Sequence, residues 1–214
     1  SAMHRWQARL LSTAVIAFEV TGAHWSFRDL DIRGVCPSDS DCEHAFHVVG
    51  ADGFVLAGNR LVDFNAQLKV NFTDSHRMPA DGLVEDNEVF NTHPRHTENP
   101  VTPLNMDHAD RWVVRRNLIY DFHKDGGNGV SYGAFFKGGV TAPVFERNLV
   151  ICARHDQIGG ARVGLSFGGG GMVPQWCAPH FDAAIPCPSQ VIGGVMRNNI
   201  IANLIYLFAG FMPF

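Results

Sequence analysis

The sequence predicts an all-β fold, a single-stranded right-handed parallel β-helix of about six or seven coils, on three observations. A short motif built around asparagine returns at nearly constant spacing. The segments between its copies read as short strands punctuated by glycine and proline, of which there are 22 and 11. The apolar residues show no helical period.

The repeat comes first. LAGNRLVDF, VEDNEVFN, VRRNLIYD, FERNLVIC and MRNNIIAN each carry an apolar residue, two variable residues, an asparagine and then apolar, often β-branched, residues. The asparagines are Asn59, Asn87, Asn117, Asn148 and Asn199, separated by 28, 30, 31 and 51 residues on subtraction. The last gap fits two short coils, with GLSFGGGG in the intervening one. Asp29 stands 30 residues before Asn59 and is expected to begin the ladder. A buried asparagine at a bend can bond backbone groups of the turn and the asparagines stacked above and below it. Stacked coils then bury one continuous apolar interior that no single coil could bury.

Each coil should also hold a strand some ten residues before its asparagine: FHVVG, LKVNF, PLNMDH, AFFKGG, GLSFGG and, as a sixth, IYLFAG. Strand alternation turns the large apolar residues inward and their neighbours outward. The outward stripe would contain His47, Lys69, Asn71, Asn105, Asp107, Lys137 and Ser166.

The chain is read as one domain over 1–214, with residues 1–3 expected to be a vector remnant and 204–214 an irregular or incomplete last coil. With 46% apolar and 18% charged residues it is a folding sequence, and a net charge of −4 offers no basic face for nucleic acid. The last dozen residues are apolar but too short for a membrane-spanning helix, so no membrane partner is expected. An apolar C-terminal end is a candidate surface for a homodimer.

Cys36 and Cys42 bracket PSDSD, and Cys177 and Cys187 bracket APHFDAAIP. Each pair could close a short disulfide loop, which implies a secreted or periplasmic location. Neither pair has the close spacing of a zinc site. Cys152, inside NLVICA, is expected to be a buried thiol.

Segments such as GAHWSFRDLDIRG, HAFHVVGADGFVLAGNRLVDFN and APVFERNLVIC resemble the right-handed parallel β-helix superfamily that includes pectate lyases and related polysaccharide lyases, above all its bacterial repeat proteins. The likeness spans roughly residues 10–207 and lies at the level of the fold. It implies a bacterial carbohydrate-active protein, with a polysaccharide as partner bound along the outward stripe.

Three polar segments could carry chemistry. THPRHTENPVTPLNMDHADR is the densest and supplies Asn105, Asp107 and His108. YDFHKDGGNGVSYGAFFKGG leads to Lys137, a lysine among apolar neighbours, where desolvation would suit a general base. GGARVGLSFGGGG carries Arg162 and Ser166, and its four glycines suggest close approach of backbone to a ligand or to the next coil. Relatives in which a lysine and an arginine on adjacent coils act together imply Lys137 as base and Arg162 as neutralising group, since 25 residues is about one coil. His47, Lys69, Asn105, His108 and Ser166 would bind substrate. Asp107 with Asn105, or Asp121 with Asp125, could hold a Ca²⁺.

The expected reaction is β-elimination on a uronic-acid polymer. A hydrolase using aspartate pairs, or a binding or structural module without catalysis, are the alternatives. GLSFGG is not a nucleophile-elbow motif, which argues against a serine hydrolase.

Overall fold

A computed structural model describes residues 8–156 and 159–203, and every paired strand in it is parallel. The chain visits three large sheets in rotation, with two two-stranded sheets beside them, Arg95–His96 with Lys124–Asp125 and Val140–Thr141 with Val191–Ile192. Sheet A takes Ala8–Ser12, Leu30–Gly34, Arg60–Val62, Glu88–Phe90, Leu118–Tyr120, Leu149–Ile151 and Ile200–Ala202. Sheet B takes Ile16–Val20, His44–Val49, Ala66–Asn71, Leu104–Asp107, Val130–Lys137 and Ala161–Phe167. Sheet C takes Ser26–Arg28, Val55–Ala57, Leu83–Glu85, Val113–Arg115, Val144–Glu146 and Val195–Arg197. Strand order within each sheet follows chain order, an arrangement compatible with a β-helix-like solenoid. IYLFAG and the apolar C-terminal end lie outside the described residues.

The register stacks like over like. In sheet A, Ile32, Leu61, Val89, Ile119, Val150 and Ile201 form one column; in sheet C, Phe27, Leu56, Val84, Val114 and Phe145 form another. These columns and the inward residues of sheet B join in one apolar core running from Val20 to Leu165, against which Ile201 packs. Parallel strands cannot be joined by tight hairpins, so each coil must travel around this core before it pairs with the last.

The asparagine ladder sits at the bend between sheets C and A. Asn59, Asn87, Asn117 and Asn148 each donate both backbone N–H and side-chain amide to the Oδ1 of the next asparagine, at 2.9–3.1 Å. Each amide also donates to a carbonyl of the coil before, as Asn87 does to Leu56 O at 2.9 Å. The residue ahead of each asparagine is left-handed: Gly58, Asp86, Arg116, Arg147 and Asn198 have φ of 53–68°. That conformation costs roughly 1–2 kcal/mol for a residue with a Cβ, and the bidentate amide offsets it.

Two expectations change here. Asp29 has φ 53° and occupies the left-handed position equivalent to Gly58; the ladder position itself is Leu30, whose N–H donates to Asn59 Oδ1 at 3.0 Å. The 51-residue interval is one coil, because Asn148 bonds Asn199 directly and Leu149–Ile151 pairs with Ile200–Ala202. GLSFGG is that coil's own sheet B strand, and the surplus residues form a long excursion between it and sheet C.

Both short disulfides are formed, Cys36–Cys42 and Cys177–Cys187, as expected of a protein from an oxidising compartment. Cys152 is a free, buried thiol, pushed up to about 11 by burial. No helix among the described residues is long and apolar enough to cross a membrane.

Candidate functional site

Sheet B turns Phe46, Val48, Leu68, Val70, Leu104, Met106 and Phe136 into the core. Alternation therefore puts the intervening residues on the outer face. Register aligns Glu19, His47, Lys69, Asn105, Phe135 and Ser166 in one row across the coils. Two residues further along the strands, Asp107 stands beside Lys137. All seven residues of the expected stripe thus lie on this one sheet.

Asp107 joins the two lysines. Its Oδ2 accepts a short hydrogen bond from Lys69 Nζ, which also donates to Asn105 Oδ1 at 2.9 Å, and its Oδ1 lies 3.5 Å from Lys137 Nζ. Oδ1 is buried and has no hydrogen-bond partner, although Lys137 is close enough for an ion pair. Lys137 in turn lies over the Phe135 ring, 4.8 Å from its centroid. Burial holds the Lys69 ammonium below the usual lysine range, against the opposing pull of Asp107. Both lysine side chains are largely buried, 17% exposed at Lys69 and 19% at Lys137.

The N-terminal side of the stripe is lined by His44, His47 and Glu43. Burial, with the nearby His47 and Lys69 charges, lowers His44 to about 4, and burial also lowers His47. Burial raises the Glu43 carboxyl, which accepts a short hydrogen bond from Asn99 and lies 3.9 Å from His44 Nε2. His47 bonds Asn71 through Nε2 at 3.1 Å, so its remaining nitrogen, Nδ1, is buried and unpartnered.

The other side is walled by the excursion of the long coil. His108 Nε2 donates to the Trp176 carbonyl, Ala178 N–H to Gly138 O at 3.0 Å, and Gly139 N–H to Gln190 O at 2.9 Å. Phe181 stacks on His76 at 4.3 Å and the edge of Phe72 meets His108 at 4.3 Å. The Cys177–Cys187 bridge closes the wall on itself. Trp176 is half exposed there.

Several expected roles do not survive this geometry. Arg162 is fully buried, pairs with Asp156 at 3.7 Å and donates to the carbonyls of Cys152, Asp156 and Gly159. It stands opposite Ser131, six residues before Lys137 on the neighbouring strand, which is about 20 Å at 3.3 Å per residue. One coil of separation in sequence put the two on adjacent coils but at opposite ends of the strands. His108 is 1% exposed and holds the wall, so it is not positioned to touch a ligand. Ser166 is on the stripe but separated from Asn105 by Phe135.

Asp121 and Asp125, one expected pair, each have partners of their own. Asp121 accepts from the N–H groups of Arg154 and His155 and from His155 Nδ1, while Asp125 pairs with His96 at 2.8 Å. At Asp107 and Asn105, the Lys69 ammonium already occupies the position between the two oxygens that a cation would take. The residues therefore do not fit Ca²⁺. No group of three or more metal-ligating side chains occurs among the described residues.

The four glycines 168–171 form a turn in which Gly169 lies against the Phe135 ring of the neighbouring coil, while Gly170 and Gly171 have open space beside them. Trp112 is buried in the core.

No protein-family model matches the chain, and neither a curated protein nor a solved structure matches it. What fold and site define together is a class: an all-β protein of parallel sheets with a lysine–aspartate–lysine cluster on one outer sheet face.

Proposed function

We propose that this chain is a right-handed parallel β-helix of a secreted or periplasmic protein, and that the outer face of sheet B binds an acidic polysaccharide and cleaves it by β-elimination. The observation that carries the reading is the pair of amino groups, Lys69 and Lys137, flanking a single buried carboxylate on a walled stripe. Lys137, held to Asp107 only at ion-pair distance, is the cation able to turn to a substrate carboxylate.

In such an elimination a base takes the proton on the carbon α to the uronate carboxyl. The electron pair left behind forms the ring double bond as the bond to the glycosidic oxygen breaks, and that oxygen regains a proton. Lys69 suits the base, because burial disfavours its ammonium form. Lys137 suits the neutralising role once given to Arg162, since it can leave Asp107 for the substrate carboxylate. A sugar hydroxyl can then donate to Asp107 Oδ1, the acceptor without a hydrogen-bond partner. The protonated Lys69 returns its proton to the leaving oxygen.

The test is incubation with polygalacturonate, alginate and glucuronan, followed by the ultraviolet absorbance of the unsaturated product. Absorbance should appear with one of them and fall at least 100-fold, about 2.7 kcal/mol of barrier, in Lys69→Met. A Lys69→Met protein of full activity overturns the assignment of the base. Retention of an acidic polymer without any cleavage would select the non-catalytic binding module instead.

A further inference from the structure

A second site lies away from the stripe, under the Cys36–Cys42 loop. A cleft of about 560 Å³ opens there, lined by Arg33, Cys36, Asp39, His93, Arg95 and His96, with none of the sheet B stripe residues taking part. Its size falls within the roughly 300–1,000 Å³ of small-molecule sites.

The floor is an ion pair that is already complete. Arg95, 2% exposed, donates from Nη1 to Asp39 Oδ1 at 2.8 Å, from Nη2 to Asp39 O at 3.2 Å and from Nε to Asn65 Oδ1 at 3.1 Å. Asp39 also accepts from His93 Nε2 at 3.1 Å and from the His96 N–H at 2.6 Å. Burial alone would raise the Asp39 carboxyl, but the His96 N–H, the Arg95 charge and His93 together hold it below the usual carboxylate range. The only carboxylate of the lining is therefore consumed by the floor.

What remains at the mouth is cation-capable. Arg33 donates from Nε to Asp63 Oδ2 at 2.9 Å and from Nη2 to Thr92 Oγ1 at 3.3 Å, and its side chain is about one-third exposed. Asp63 is itself satisfied by the Thr92 N–H and hydroxyl, so Arg33 can share its guanidinium. His93 and His96 are 53% and 79% exposed; His93 already bonds Asp39 through Nε2 and has Nδ1 3.4 Å from Thr92 Oγ1, while His96 meets Asp125 at the rim through Nδ1 at 2.8 Å. The disulfide fixes the loop that forms the opposite lip.

We infer that this cleft binds a small anion, a sugar-sized molecule bearing a carboxylate or a sulfate, on the Arg33 guanidinium, with the exposed His93 ring at the edge of the site and the Arg95–Asp39 pair as its floor. Guanidinium and carboxylate or sulfate match in planar, bidentate geometry, which is the reason to place the anion on Arg33. The site stands independently of the lyase reading, because it shares no lining residue with the stripe.

The test is titration of the whole protein with glucuronate and, separately, with inorganic sulfate, following the histidine ring C–H resonances by NMR. Saturable shifts of the His93 and His96 signals are expected with at least one of the two anions. Affinity should fall at least fivefold in Arg33→Gln and in His93→Gln and stay unchanged in Lys69→Met. Sulfate binding without glucuronate binding narrows the ligand to a sulfate ester, and the reverse to a carboxylate. Shifts that never saturate overturn the inference, as does equal binding of uncharged glucose or an unaltered affinity in His93→Gln. The exposed His93 keeps the test decisive if Arg33→Gln does not fold.

Discussion

Asn117 donates its side-chain amide to Asn148 Oδ1 at 3.0 Å and its backbone N–H to the same oxygen at 3.1 Å, across 31 residues of chain. One side chain thereby satisfies the bend of its own coil and fixes the height of the next. Replacing it with alanine strands the buried Asn87 N–H, takes one donor from the Val84 carbonyl and leaves Asn148 Oδ1 with the backbone N–H alone. Each stranded group costs about 1–3 kcal/mol, and they are not additive. Asn117→Ala should lose about 3 kcal/mol in urea unfolding, and Asn199→Ala, which is half-buried, clearly less. Equal losses would contradict a ladder whose members act by burial.

Stability should fall on mild acidification because of His44. The unfolded chain takes up this proton near pH 6.5, the folded chain only near 4. Between those values protons favour the unfolded state, so stability drops as pH falls, by up to about 1.4 kcal/mol per pH unit from this group. His44→Gln should flatten the dependence of unfolding free energy on pH from 6.5 to 4.5. An unchanged slope would remove His44 as the cause.

Lys69 and Asp107 should be coupled. Asp107→Ala leaves a buried amine without its carboxylate and should cost about 3–5 kcal/mol, whereas Lys69→Met together with Asp107→Leu should recover most of it. A double-mutant cycle of Lys69→Met, Asp107→Leu and the two together, measured by chemical denaturation, gives the coupling directly, and additivity of the two changes would dissolve the pair. Fold recovery in the double variant without cleavage of acidic polymer would separate the chemistry of the pair from its structural role.

By itself the sequence determined the parallel all-β architecture, the stacked asparagines and the face of sheet B on which Lys69, Asn105, Asp107 and Lys137 stand. Those follow from local rules. Period-two alternation decides the side of a strand, and a turn that needs an amide at a left-handed bend decides where asparagine recurs. Tertiary structure decided the rest. Whether Arg162 would meet Lys137 depended on position along the strand, which spacing in sequence leaves open. It took the fold to set Lys69 against Asp107, 38 residues on, because coil lengths vary with their loops. The wall over the stripe came from a long excursion held by Phe72, His76, Phe181 and a disulfide, contacts that no repeat encodes. Side-chain periodicity is a property of neighbours in the chain; which groups share a desolvated site is a property of packing.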